Sequence, residues 1–122
     1  MTITDIGINQ IAAIVGSSIA NRFEYIAIGT GSTTVVVAQS GLNTETDRNA
    51  MTSTDISVAG KVSYIADFSS TEISGTSFKE WGIFTSGPTD TGSIFNREVV
   101  PTTEFEGDRE LQIQTTIRFQ RN

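Results

Sequence analysis

The chain reads as a mainly β protein: a small antiparallel β-sandwich or rolled sheet with one N-terminal α-helix. Three observations predict this. Ser and Thr together make up about a quarter of the 122 residues, well above ordinary usage. Thr fits a pleated surface, and both hydroxyls compete with helix hydrogen bonds. Several short segments alternate apolar and polar residues with period two. Only one segment, at the N-terminus, shows a helical period.

That first segment is "TDIGINQIAAIVGSSIANR". Thr4 or Asp5 can cap it, and Ile8, Ile11, Ala12, Val15 and Ile19 form one apolar stripe over a helix of about residues 4–20. Gly7 and Gly16 weaken the helix, and the stripe must pack on the domain's own sheet or on a copy in a neighbouring subunit. A strand follows from Phe23 to Ile28 and runs into Gly29-Thr30-Gly31. These glycines lack the third glycine, the following helix and the lysine of a nucleotide loop, so they read as a tight turn.

"SGLNTETDRNAMTST" is polar apart from Leu42 and Met51, and Leu42, Glu45 and Arg48 are spaced as on one short helical turn or an ordered loop. "TDISVAGKVSYIADFSS" reads as a hairpin about Ala59-Gly60, with Val62, Tyr64, Ala66 and Phe68 on one face. "SFKEWGIF" is a strand that places Trp81 and Ile83 on one face and Phe78, Glu80, Gly82 and Phe84 on the other. "SIFNREVV" is a strand ended by Pro101. "ELQIQTTIRFQ" has the cleanest alternation, with Leu111, Ile113, Thr115, Ile117 and Phe119 facing one way. About six strands in meander-like order result, in one domain spanning residues 1–122, with the β-rich part over about 22–121.

Composition restricts the function classes. The net charge is −6, and no basic stripe of the kind a nucleic-acid binder uses is present. Without cysteine or histidine there is no disulfide, no thiolate chemistry and no imidazole base or ligand. No apolar run reaches the ~20 residues of a membrane span, and no basic stretch followed by an apolar block marks a signal peptide. Neither a nucleic-acid nor a membrane partner is expected. Catalysis would fall to carboxylates, but Asp5, Glu45, Asp47, Asp55, Asp90, Glu104, Glu106 and Asp108 sit in polar loops. No stretch has the alternating ligands of a calcium loop. No enzyme activity, cofactor or metal is expected.

The exceptions are charges set among hydrophobes: Glu80 between Phe78 and Phe84, and Arg97 after Ile94-Phe95. A carboxylate taken out of water needs a cation or several donors. Arg97, or Arg48 beside Glu45, could supply a bidentate partner. Glu80, Arg97, Glu45 and Arg48 are therefore expected in ion pairs, internal or at a subunit contact. Gly82 reads as a place where another backbone comes close.

These residues carry a resemblance. The order of segments resembles small tail-associated virion proteins of tailed bacteriophages and archaeal tailed viruses, above all the particle-attaching N-terminal domains of tail fibre proteins. An E-x-G-L-F/Y motif is matched by Glu80, Gly82, Ile83 and Phe84. An A-L-x-x-E-x-x-R motif is matched by Leu42, Glu45 and Arg48, with Gly41 in place of Ala. F-x-R is matched by Phe95 and Arg97. Trp81 departs from the pattern, replacing a smaller aliphatic residue.

The resemblance implies a non-enzymatic virion protein, assembled in the host cytoplasm as a homo-oligomer in the tail tip, baseplate or fibre-attachment region. Partners would be copies of itself, other virion proteins and a host-surface receptor. Fibre proteins continue into a shaft, so a complete chain ending at Asn122 implies an adaptor, short spike or baseplate subunit. Trp81, Ile8, Ile11, Val15 and Ile19 are the expected subunit contacts. The alternatives are a capsid decoration, head-fibre or portal-proximal protein, and a carbohydrate-binding or host-adhesion module using Trp81, Tyr25 or Tyr64.

Overall fold

A computed structural model describes residues 2–16 and 22–119. Among the described residues one helix, α1 (Asp5–Gly16), precedes seven strands: β1 (Tyr25–Gly29), β2 (Glu45–Ala50), β3 (Ser53–Asp55), β4 (Lys61–Phe68), β5 (Ser77–Phe84), β6 (Ile94–Glu104) and β7 (Leu111–Arg118). They form two antiparallel sheets, ordered β2-β1-β5-β6 and β3-β4-β7. The mainly β architecture is as predicted. The meander is not, because the chain changes sheet after β2, β4 and β6, so that β1 pairs with β5 and β4 with β7.

The main core lies between the sheets. Ile26, Ile28, Ile83 and Phe95 from the first meet Tyr64, Ala66, Phe68, Ile113 and Ile117 from the second. Phe23 meets Phe95 edge-on, with ring centroids 5.2 Å apart. The four predicted core positions of β4 face inward, Val62 only partly buried. Phe78 joins this core and lies against Phe105, not with Glu80 and Phe84 as strict alternation implies. The β5–β6 register slips between Phe78 and Glu80.

Two strand assignments need correction. Glu45–Ala50 is a strand, not a helical turn or loop. Its polar composition hides it, since β2 is an edge strand supplying few residues to the core. A bulge opposite Ile28 and Gly29 places both Asp47 and Glu45 against successive β1 residues. The extra residue brings Glu45 and Arg48 onto one face, although residues three apart in a regular strand face opposite ways. Pro101 does not end β6, which runs on to Glu104. Pro101 lies where the β5–β6 register slips, on an edge strand where a missing N–H removes no ladder bond.

Thr4 is the N-cap. Its hydroxyl accepts from Gly7 N at 2.8 Å and donates to Ile94 O at 2.7 Å, so it ties the helix start to β6 as well as capping it. A Cβ on Gly7 would lie 2.7 Å from Phe95 O. This glycine, read from sequence as a weakness, is the contact that lets the helix lie on β6. The inward face accordingly runs through Gly7, Ile11 and Ile14, whereas Ile8 is 56% exposed. The predicted stripe through Ile8 is rotated outward by that close approach. Residues 17–20 of the expected helix, Ile19 among them, lie outside the described residues, as do the Ala12 and Val15 side chains.

Thr4→Ala leaves a buried carbonyl and the Gly7 amide without their partner. It should lower the unfolding free energy by about 1–3 kcal/mol, against less than about 1 kcal/mol for Thr4→Ser, measured by urea denaturation.

Candidate functional site

The outer face of the four-stranded sheet, away from the main core, holds the buried charges. Ala27, Phe84 and Ile94 form a small second cluster there, covered by Tyr25 and Leu42. Glu80 lies on this face, fully buried. Its Oε1 accepts from Gly31 N at 3.0 Å and Thr44 N at 2.7 Å, and its Oε2 from Asn43 N at 2.9 Å and Arg97 Nε at 2.7 Å. Four donors surround one carboxylate, the arrangement that makes a buried anion tolerable.

The glycines of Gly29-Thr30-Gly31 follow from this cradle. A Cβ on Gly29 would lie 2.2 Å from Thr44 O and 2.6 Å from Glu80 Oε1, and one on Gly31 would lie 2.4 Å from Asn43 Cβ. The turn does bind an anion, but the anion is the protein's own side chain. Gly82 opens a similar space on β5, where a Cβ would come 2.5 Å from Asn96 O, the close backbone approach expected from sequence.

Arg97 is equally buried, and its Nη1 donates to Thr33 O at 2.9 Å. Its Nη2 and the Nδ2 of Asn96 are buried without an acceptor among the described residues. Asn96 uses its other atom, Oδ1, to accept Ile83 N at 3.1 Å where the β5–β6 register slips.

The second predicted pair lies on the same face. Arg48 makes a two-point contact with Glu45, Nε to Oε2 at 2.9 Å and Nη2 to Oε1 at 2.6 Å, and both side chains are 1% exposed. Its Nη1 donates to Ser86 O and Thr91 O, and the guanidinium carbon stands 3.8 Å from the centre of the Phe84 ring. Asp90, in the left-handed region at φ 59°, donates its N–H to Glu45. Of the two cations open to Glu80 from sequence, Arg97 is its partner and Arg48 serves Glu45.

Sequence reasoning missed Asn96, Asn43 and Thr44. The amides of Asn43 and Thr44 carry no side-chain signal, and an Asn in a strand has no apolar period to betray it. The predicted subunit contacts do not gather in one place. Trp81 packs part-buried on the main core, as does Ile11, while Ile8 is exposed. The outer face of β5 is closed by this chain's own loops, so neither face of the strand requires a second subunit.

One carboxylate pair is perturbed. Burial, with Glu72 and Glu45 nearby, raises Asp47 above its ordinary value, although the Arg48 N–H opposes the shift. Hydrogen bonds from Ser69 N and the Asn49 side chain hold Glu72 low. Among the described residues no group of three or more acidic side chains could hold a metal ion. No helix among them is long and apolar enough to cross a membrane. No protein-family model matches the chain, and no curated protein matches it.

Glu80→Ala should destabilise the protein by about 3–5 kcal/mol, because it strands a buried cation and three amides. Arg97→Met should cost less, since Glu80 keeps its amide donors. Hydrogen exchange by NMR separates the two, the amides of Gly31, Asn43 and Thr44 losing protection only in Glu80→Ala.

The raised Asp47 favours a fold with its carboxyl protonated, so ionisation subtracts stability as pH rises past its ordinary value near 3.8. Asp47→Asn keeps an acceptor for Arg48 N and removes that loss. It should stabilise the protein at pH 7 by a few tenths of a kcal/mol, discounted for solvent screening. The gain should vanish at about pH 3, where both forms are neutral; denaturation at the two pH values checks it.

Proposed function

We propose that this chain is a non-enzymatic structural protein of a tailed virus particle, working as a homo-oligomer in the tail tip, baseplate or fibre-attachment region. One observation supports the reading above the others. The three short motifs that carry the family resemblance are far apart in sequence, yet their charged residues converge on one sheet face. Glu80 with Arg97, and Glu45 with Arg48, lock loops onto that face and leave none of these four side chains facing solvent. A scaffold of this kind presents surfaces rather than performing chemistry.

Exposed apolar side chains supply candidate surfaces. Ile3 and Ile8 flank the helix start, and Val36 and Val37 lie beside them, Val37 O accepting Asp5 N at 2.9 Å. Ile56, Val58 and Phe119 sit around the β3–β4 hairpin end, where Phe119 N donates to Gly60 O. Contiguous exposed apolar groups mark interaction sites more often than they occur by chance. Partners in this reading are further copies, other virion proteins and a host-surface receptor, with assembly in the host cytoplasm. The adhesion-module alternative has less support, because Tyr64 is buried and Trp81 is partly covered by the core.

Antibodies against the chain, visualised with gold on purified tailed particles from the source, should decorate the tail end. Label on the head would favour the capsid-decoration alternative, and absence of the chain from purified particles would reject both.

A further inference from the structure

Each sheet of an open sandwich has two edge strands, and an unprotected edge is a template for pairing with another chain. Three of the four edges here carry protection. β2 is bulged, and its Arg48 N–H is occupied by the Asp47 carboxylate at 2.8 Å. β6 has two register slips and Pro101, and Ile3 bridges to it at Asn96. β3 is three residues long.

β7 has none of these devices. It runs eight residues in unbroken register with β4, without proline, glycine, lysine or an acidic side chain. Phe119 N donates to Gly60 O at 2.7 Å, which sets the phase of the ladder. Odd-numbered residues from 111 to 119 turn their main-chain groups toward β4. Those of Gln112, Gln114, Thr116 and Arg118 therefore point to the open side, and no partner meets them among the described residues.

We propose that this open edge joins two copies of the chain, β7 against β7, antiparallel about a twofold axis at Thr115. The proposal rests on the homo-oligomer reading above and names its surface. The occupant is a second copy because the strand complements itself in one register. Pairing 115 with 115 sets Ile113 opposite Ile117 and Leu111 opposite Phe119. Phe119, 57% exposed in the single chain, then gains an apolar neighbour in the half-buried Leu111. Gln114 meets Thr116, and Gln112 meets Arg118, so no like charges oppose one another. Each inward residue stays on the core face, since an even register sum preserves the pleat. The result is a six-stranded sheet, β3-β4-β7-β7-β4-β3, through an isologous contact.

Sedimentation equilibrium of the whole chain, with three variants, tests this. Thr116→Pro removes an outward N–H together with the exposed Ser63–Thr116 hydroxyl bond, and should weaken self-association at least tenfold, whereas Thr116→Val, which loses the hydroxyl alone, should not; the far-ultraviolet circular dichroism stays unchanged in both. Thr115→Cys introduces the sole cysteine of the chain at a non-hydrogen-bonded pair, where Cα atoms approach to about 4.5 Å, within disulfide reach. Mild oxidation should convert it to a covalent dimer. A wild-type oligomer that survives Thr116→Pro and leaves Thr115→Cys uncrosslinked overturns the β7 contact but keeps the homo-oligomer reading. A wild-type chain that remains monomeric overturns both. Should Thr116→Pro fail to fold, the crosslink alone decides.

Discussion

The Glu80 carboxylate is the interaction on which the first sheet depends. Residues 30–44 connect β1 to β2 with no regular secondary structure, a length at which loops without such structure are uncommon in small domains. Glu80 holds Gly31 at one end and Asn43 and Thr44 at the other. Arg97, fixed by the same carboxylate, takes Thr33 O, and the middle of the loop is held where Val37 O accepts Asp5 N. One side chain thus supplies acceptors that a neighbouring strand would otherwise provide. The closed loop then brings Leu42 over Phe84 and Ile94, which gives the outer face its small core.

Why charges hold this face, rather than hydrophobes, follows from what they grip. An apolar side chain can cover a loop but cannot accept its amides, and unpaired buried amides are costly. The Glu45–Arg48 pair does for residues 86–91 what Glu80–Arg97 does for residues 31–44. Buried ion pairs are weak contributors to net stability, and the orphaned Arg97 Nη2 and Asn96 Nδ2 point the same way. Their contribution is to position: each loop has one place to sit, because each carbonyl and amide must meet one charged atom.

The sequence made the fold legible wherever periodicity was strong. β4, β5 and β7 stand where alternation put them, and the buried charges of Glu80 and Arg97 followed from carboxylate and guanidinium among hydrophobes. What it hid has physical causes. β2 buries a guanidinium and a carboxylate instead of an apolar row, so no hydrophobic period marks it. Its bulge also breaks the spacing rule that would have assigned Glu45 and Arg48 to opposite faces. The helix face was misjudged at Ile8 because hydrophobicity alone cannot register that Gly7 allows backbone contact. Strand order was illegible because the sheet-to-sheet crossings run through short connections in which Met51, Ile73 and Phe105 turn into the core singly, with no period to mark them.

The same distribution restricts how the molecule can associate. The outer face of the first sheet is roofed by residues 30–44 and 85–93, and its inner face is core. The outer face of the second sheet is largely polar, with Ser63 bonded to Thr116 and Gln112 to Asp67 across the strands, so stacking there would desolvate groups already satisfied. Among the described residues Ile65 is the large apolar side chain on that outer face, half-buried between Ser63 and Asp67, so face-to-face association would bury little apolar surface. Among the described residues, what remain are the sheet edges and the exposed apolar groups at the helix start and at the hairpin end, with Val99 on β6. Of these, only the hairpin-end group adjoins an unprotected edge, since Phe119 directly follows β7. An edge contact supplies directional main-chain bonds and the adjacent Phe119 supplies apolar area, so recognition and burial coincide at one place.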